Sequence, residues 1–216
     1  MSQSKRELEP FESNETERYF SWMQEDGNGK FEIVTRQDLE PGSIDLELPR
    51  QRYDVGKIIY KRGNGLEFNL MEFLPEGFVA TYFPGRASQL KVGASDKGDI
   101  SFEDLTTQQE LFGLFHALGH ANIWHGLTDV EFERRHQARN AVILGDRSRG
   151  FVNALMDEYE AWEWAVTNII NLRRNGIDFF PGVNQDQFHE WIAQSRRLYG
   201  CVEPEQFPLI PEGEKS

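Results

Sequence analysis

The sequence has one cysteine, Cys201, so no disulfide can form within the chain. It has no apolar run near the ~18 residues that a membrane-crossing helix needs, and no membrane partner is expected. The polar stretch from Met1 to Glu17 lacks the apolar segment of a secretory signal. These three absences lead to the expectation of a reducing, cytoplasmic setting. Basic residues are also scarce, with 23 Lys and Arg against 36 Asp and Glu and a net charge of −13. Such a surface repels a phosphate backbone. The clustered arginines, Arg134, Arg135 and Arg139, then Arg147 and Arg149, are interleaved with acids and read as solvated helix and loop faces. No nucleic-acid partner is expected.

What is present suits a folded domain. The 216 residues are 38% hydrophobic and 27% charged, enough for one core with at most a small appendage. Residues 1–50 read as a weakly organised N-terminal extension, with a short helix at 16–23 and a polar surface segment at 37–54. A domain at 51–200 follows, and 201–216 reads as an extended acidic tail. Asp26-Gly27-Asn28-Gly29 resembles part of a calcium loop. With Asp26 at its third position, however, Gln24 and Thr35 occupy key ligand positions, and neither suits. The segment is expected to be a turn before a strand at 30–34.

Strand signals dominate next. Lys57 to Arg62 and Leu66 to Phe73 flank Gly63-Asn64-Gly65, a hairpin pattern, and further strands are expected at 78–83 and 90–94. After Gly98 the apolar period changes from two to about 3.6. Helices are expected from Thr106 or Thr107 to Trp124, at 129–140, at 152–174 and at 185–199, with a loop at 145–150. Close-spaced strands followed by helices indicate an α+β fold with a mainly antiparallel sheet.

The chemistry concentrates in Leu111 to His125, LFGLFHALGHANIWH. His116 and His120 stand four residues apart, hence on one helical face about 40° apart, where two imidazoles can chelate one metal ion. Their neighbours are apolar or small, so the helix must be buried, and burying two histidines without a partner is costly. Two hydrogen-bonded core histidines are the alternative. A tetrahedral site needs a further protein ligand. On the long helix, Glu158 shares a face with Leu155, Ala161, Trp162, Ala165 and Ile169; a carboxylate in such a stripe needs a cation or a set of hydrogen bonds. Asp157, Glu160 and Glu163 suit a solvated face better, with Glu160 the reserve ligand. The tryptophans Trp162, Trp164 and Trp191 read as core.

H-A-L-G-H on one helix and E-Y-E-A on a later one resemble the gluzincin metallopeptidases, and most closely their small, compact members. That resemblance implies a zincin-like fold over roughly 53–174, with a short sheet before the active-site helix. It implies zinc held by His116, His120 and Glu158, and an extended peptide or protein paired along the sheet edge. The metzincin pattern fails, because positions 123 and 126 are Ile123 and Gly126, and His125 is one place early. His136 and His189 carry no signal.

One departure decides the functional expectation. Where the family has its general-base glutamate, this chain has Ala117. Losing such a base costs on the order of 10²–10⁴ in rate. Glu110 lies on the same face but two turns away. The expectation is a zinc-binding, metallopeptidase-like chain that is inactive as written, whether by nature or by replacement of a glutamate. A non-catalytic module that recognises a protein partner, and a metal-free structural domain, stand beside it.

Overall fold

The computed structural model describes residues 18–23, 29–42, 48–62, 67–85, 93–96, 98–143 and 151–198. Strands come first: β1 (Arg18–Met23), β2 (Gly29–Gly42), β3 (Arg50–Arg62), β4 (Glu67–Asn69), β5 (Val79–Tyr82), β6 (Gly93–Asp96) and β7 (Asp99–Phe102). Helices follow: α1 (Gln108–His125), α2 (Asp129–Ile143), α3 (Phe151–Arg174) and α4 (Gln185–Leu198). This is the α+β class expected. The strands form one sheet in the order β1-β2-β3-β5-β7-β6, with β4 also paired to β3. All pairings are antiparallel except β5 with β7, which makes the sheet mixed. Among the described residues no helix is long and apolar enough to cross a membrane.

The N-terminal part corrects the sequence reading. Residues 18–23 form a strand rather than a helix, paired to β2 from Arg18↔Thr35 to Met23↔Lys30. A helix of about eight residues has little stability of its own, and aromatic residues such as Tyr19, Phe20 and Trp22 suit a strand once a partner is available. The polar segment at 37–54 is also largely strand, with Asp38↔Tyr53 and Gly42↔Arg50 in register. Arg36, Gln37 and Asp38 are exposed, so this part of β2 lacks the apolar alternation by which strands are recognised. The hairpin of β3 with β4 is present. Residues 70–73, however, form a 3-10 turn whose first free N–H, that of Met71, donates to Asn69 Oδ1 at 3.2 Å. The expected turns at 26–28 and 63–65, the loop at 145–150 and the tail at 201–216 lie outside the described residues.

A bulge keeps the sheet's inner face apolar. Val34 pairs with Lys57 and Thr35 with Val55, so Gly56 is the extra residue. Without it, Tyr53 and Val55 would face opposite to Ile58 and Tyr60, since side chains alternate along a strand. With it, all four are buried. Phe31 and Ile33 from β2 lie opposite Tyr60 and Ile58 and join the same core.

α1 lies between that sheet and α3. Its start is fixed by a capping box: Thr107 Oγ1 accepts from the Glu110 N–H at 3.2 Å, and Glu110 Oε2 accepts from the Thr107 N–H at 3.0 Å. Phe115 packs on Phe73 and Phe179, and Phe112 on Trp162, Phe180 and Phe188. The end of α3 is a Schellman motif, with Ile177 N–H to Leu172 O at 2.9 Å, Gly176 N–H to Arg173 O at 2.9 Å, and Gly176 at φ +81°. This turn sends the chain back so that Phe179 covers Tyr60, ring centroids 4.6 Å apart.

Candidate metal centre

α1 and α3 cross where α1 carries Gly119 and α3 carries Ala161. The close crossing brings His116 and His120 against Glu158. His116 Nε2 lies 3.1 Å from Glu158 Oε2, and His120 Nε2 lies 3.3 Å from Glu158 Oε1. One ligand atom from each of the three residues lies within 4.8 Å of the others, the arrangement of donors around a single cation. Glu158 and His120 are 4% and 1% exposed. Yet among the described residues neither His Nε2 atom nor either Glu158 oxygen makes a hydrogen bond, although all are buried and lie at ion-pair distance from one another or from Arg139. Buried polar atoms are nearly always paired, and leaving four unpaired in one spot is costly. An ion accepting lone pairs from all three residues removes that cost, so the donor set fits a divalent metal.

The surrounding residues fix the donors in place. Asp157 Oδ2 lies 3.2 Å from His120 Nδ1, within reach of a hydrogen bond though off its line. A proton on Nδ1 leaves Nε2 as the donor atom, the usual role of a carboxylate behind a ligand histidine. Asp157 is itself held by Trp124 Nε1–H at 3.1 Å and by the Arg135 guanidinium at 3.1 Å. Arg135 also donates to Glu160 at 2.7 Å. His116 is stacked flat on Trp162, with centroids 3.7 Å apart and planes 3° from parallel. Arg139 Nε lies 3.3 Å from Glu158 Oε1.

Burial drives the His116 imidazole down to about 4, so it is neutral. Burial also pushes His120 down, but Glu158 and Asp157 outweigh it and the net direction is up. Burial alone would raise Glu158; the two imidazoles reverse this and hold it well below the ordinary carboxylate range.

The three residues singled out in the sequence, His116, His120 and Glu158, are brought together. Glu160 is not among them and pairs with Arg135 instead. His125 is exposed and faces Phe78 across 6.4 Å. His136 is beside Phe132, and neither it nor His189 joins the cluster. Ala117 is 2% exposed. Glu110 is engaged in the cap of α1 and accepts from both Thr106 and Thr107. Trp162 and Trp164 belong to the core and its margin, as does Trp191.

Two readings of solvated residues are corrected. Asp157 is 1% exposed rather than on a wet face, because α2 covers that side of α3 and supplies Arg135. The Arg139 side chain is 13% exposed and lies over Trp124, its Cζ 5.6 Å from the ring. Their signal in the sequence is weak: Asp157 stands among other acids in α3 and Arg139 among acids and arginines in α2, and only the packing of α2 on α3 separates buried from wet.

No protein-family model matches the chain, and no curated protein or solved structure matches it significantly.

Proposed function

We propose that this chain is a zinc-binding, metallopeptidase-like protein of the gluzincin kind that does not hydrolyse peptide bonds as it stands. One observation carries the reading: His116, His120 and Glu158 converge, and their buried donor atoms make no hydrogen bond among the described residues. In this reading His116 and His120 contribute Nε2 and Glu158 its carboxylate. Asp157 keeps the proton of His120 on Nδ1, and Trp162 fixes the plane of the His116 ring. Zinc, when bound, supplies Lewis-acid polarisation of a carbonyl. The residue that would take a proton in hydrolysis is the one missing, since the methyl of Ala117 cannot accept one.

The same absence favours a second reading of the site, a non-catalytic module that binds a peptide or protein. Glu110, the acid on the same helical face as position 117, is committed to the cap, so no substitute base comes from it. The net charge of −13 suits a basic partner.

The test is elemental analysis of protein purified without chelator. The expected result is about one zinc per chain, with His120→Ala lowering zinc content and thermal stability together. Undiminished zinc in that variant removes His120 from the site. No zinc in the parent, even after it is added back, overturns the zinc-binding reading of the chain as it stands.

A further inference from the structure

We infer that Arg139 is a built-in counter-ion that occupies the metal-facing carboxylate of Glu158 and sets how tightly a divalent cation binds. The inference rests on the metal reading above and concerns a residue on a different helix from any proposed ligand. Arg139 Nε is 3.3 Å from Glu158 Oε1, the same oxygen that lies 3.3 Å from His120 Nε2. The contact is an ion pair without a hydrogen bond, so the guanidinium competes by charge for the oxygen that a cation between the histidines would use.

Charge makes the competition strong. Around the site stand three acids, Asp157, Glu158 and Glu160, and two guanidinium groups, Arg135 and Arg139. With both imidazoles neutral, as metal binding requires, their sum is one negative charge. Adding a divalent cation turns this into one positive charge, in a place where Glu158 is 4% exposed. Like charges a few ångströms apart repel strongly where water is scarce. Without a cation, the same guanidinium offsets a buried carboxylate that would otherwise be very costly. Arg139 thus stabilises the metal-free protein and opposes the metal.

The two guanidinium groups divide the work. Arg135, one helical turn before Arg139, grips Asp157 and Glu160 and joins α2 to α3. It makes no contact with a proposed ligand among the described residues. Arg139 lies across Trp124, which is itself anchored to Asp157.

The experiment measures zinc affinity by competition with a chromophoric chelator, and thermal unfolding in excess chelator, for the parent, Arg139→Met, Arg139→Gln and Arg139→Lys. Both neutral variants should bind zinc about tenfold tighter or more and unfold at lower temperature in chelator. Arg139→Lys, which keeps the charge, should stay near the parent in zinc affinity. Arg139→Gln carries the comparison if Arg139→Met does not fold. If the parent binds zinc and the neutral variants bind it equally or less tightly, the counter-ion role is wrong and the metal reading stands. If the parent binds none but a neutral variant does, Arg139 is confirmed as the competitor. If none of the four binds zinc, both readings fall.

Discussion

A Cβ built on Gly119 would lie 2.5 Å from the carbonyl oxygen of Ala161. No side chain fits there, because the neighbour is helical backbone and cannot turn aside. The glycine of H-A-L-G-H thus lets α3 come close enough for Glu158 to reach between His116 and His120. The contact also explains why α3 carries Ala161 and Ala165, both fully buried, where larger residues would hold the helices apart.

Gly119→Ala should therefore separate α1 from α3. A stability loss of about 1–3 kcal/mol is expected, with weaker zinc binding, although alanine favours helix in isolation. Denaturant unfolding with and without zinc measures both. A variant as stable as the parent would show that the helices do not meet at this distance.

Asp157→Asn should lower zinc affinity by about 10–100-fold, the usual effect of removing the carboxylate behind a ligand histidine. Size is kept, so the loss reports the carboxylate charge that faces His120 Nδ1 and Arg135. Chelator competition gives the number. Parental affinity would show that His120 needs no such support.

Ala117→Glu should convert zinc-loaded protein into a peptide hydrolase, with a gain on the order of 10²–10⁴ over the parent. Because Ala117 is 2% exposed, the new carboxylate should also lower stability by about 1–3 kcal/mol. Cleavage of a denatured protein such as casein is a suitable assay. A folded, zinc-loaded variant with no activity would favour the binding-module reading.

The stability of metal-free protein should pass through a maximum near neutrality. His116 is lowered from 6.5 to about 4 by folding, so its contribution is full above 6.5 and is lost as pH falls towards 4. His120 is raised above 6.5, so its contribution is full below that value and is lost as pH rises through the folded one. Glu158 adds a further loss as pH drops below 4.5. The thermal midpoint in excess chelator, followed across pH, should rise and then fall. A midpoint that climbs steadily through pH 6.5 and beyond would contradict the direction assigned to His120.

Much of the site could be read from the sequence because helical spacing is rigid. His116 and His120 share a face whatever the rest of the chain does, and Glu158 stands in a stripe of residues that must be buried. Asp157 and Arg139 could not be read, because their burial depends on α2 packing over α3, and nothing local distinguishes them from Glu163 or Arg134. β1 reads as a helix in the sequence for a related reason. Its fate is decided by β2, a separate segment, and a six-residue run with three aromatics is compatible with either state. Gly56 shows the opposite limit. The switch from Tyr53 and Val55 to Ile58 and Tyr60 is visible in the sequence as a break in alternation, but only the pairing of Thr35 with Val55 identifies it as a bulge.

His116 and Glu158 are separated by all of α2 and by parts of α1 and α3. Anything that joins them, whether an ion pair or a shared ion, closes a loop of about forty residues, for which the chain-entropy relation gives roughly 4 kcal/mol if the link is permanent. A chain with Cys201 as its one thiol cannot obtain this restraint from sulfur. In polymer terms the cluster of histidines and carboxylate is the equivalent of a cross-link, and unlike a disulfide it can be opened by acid or, if an ion holds it, by a chelator.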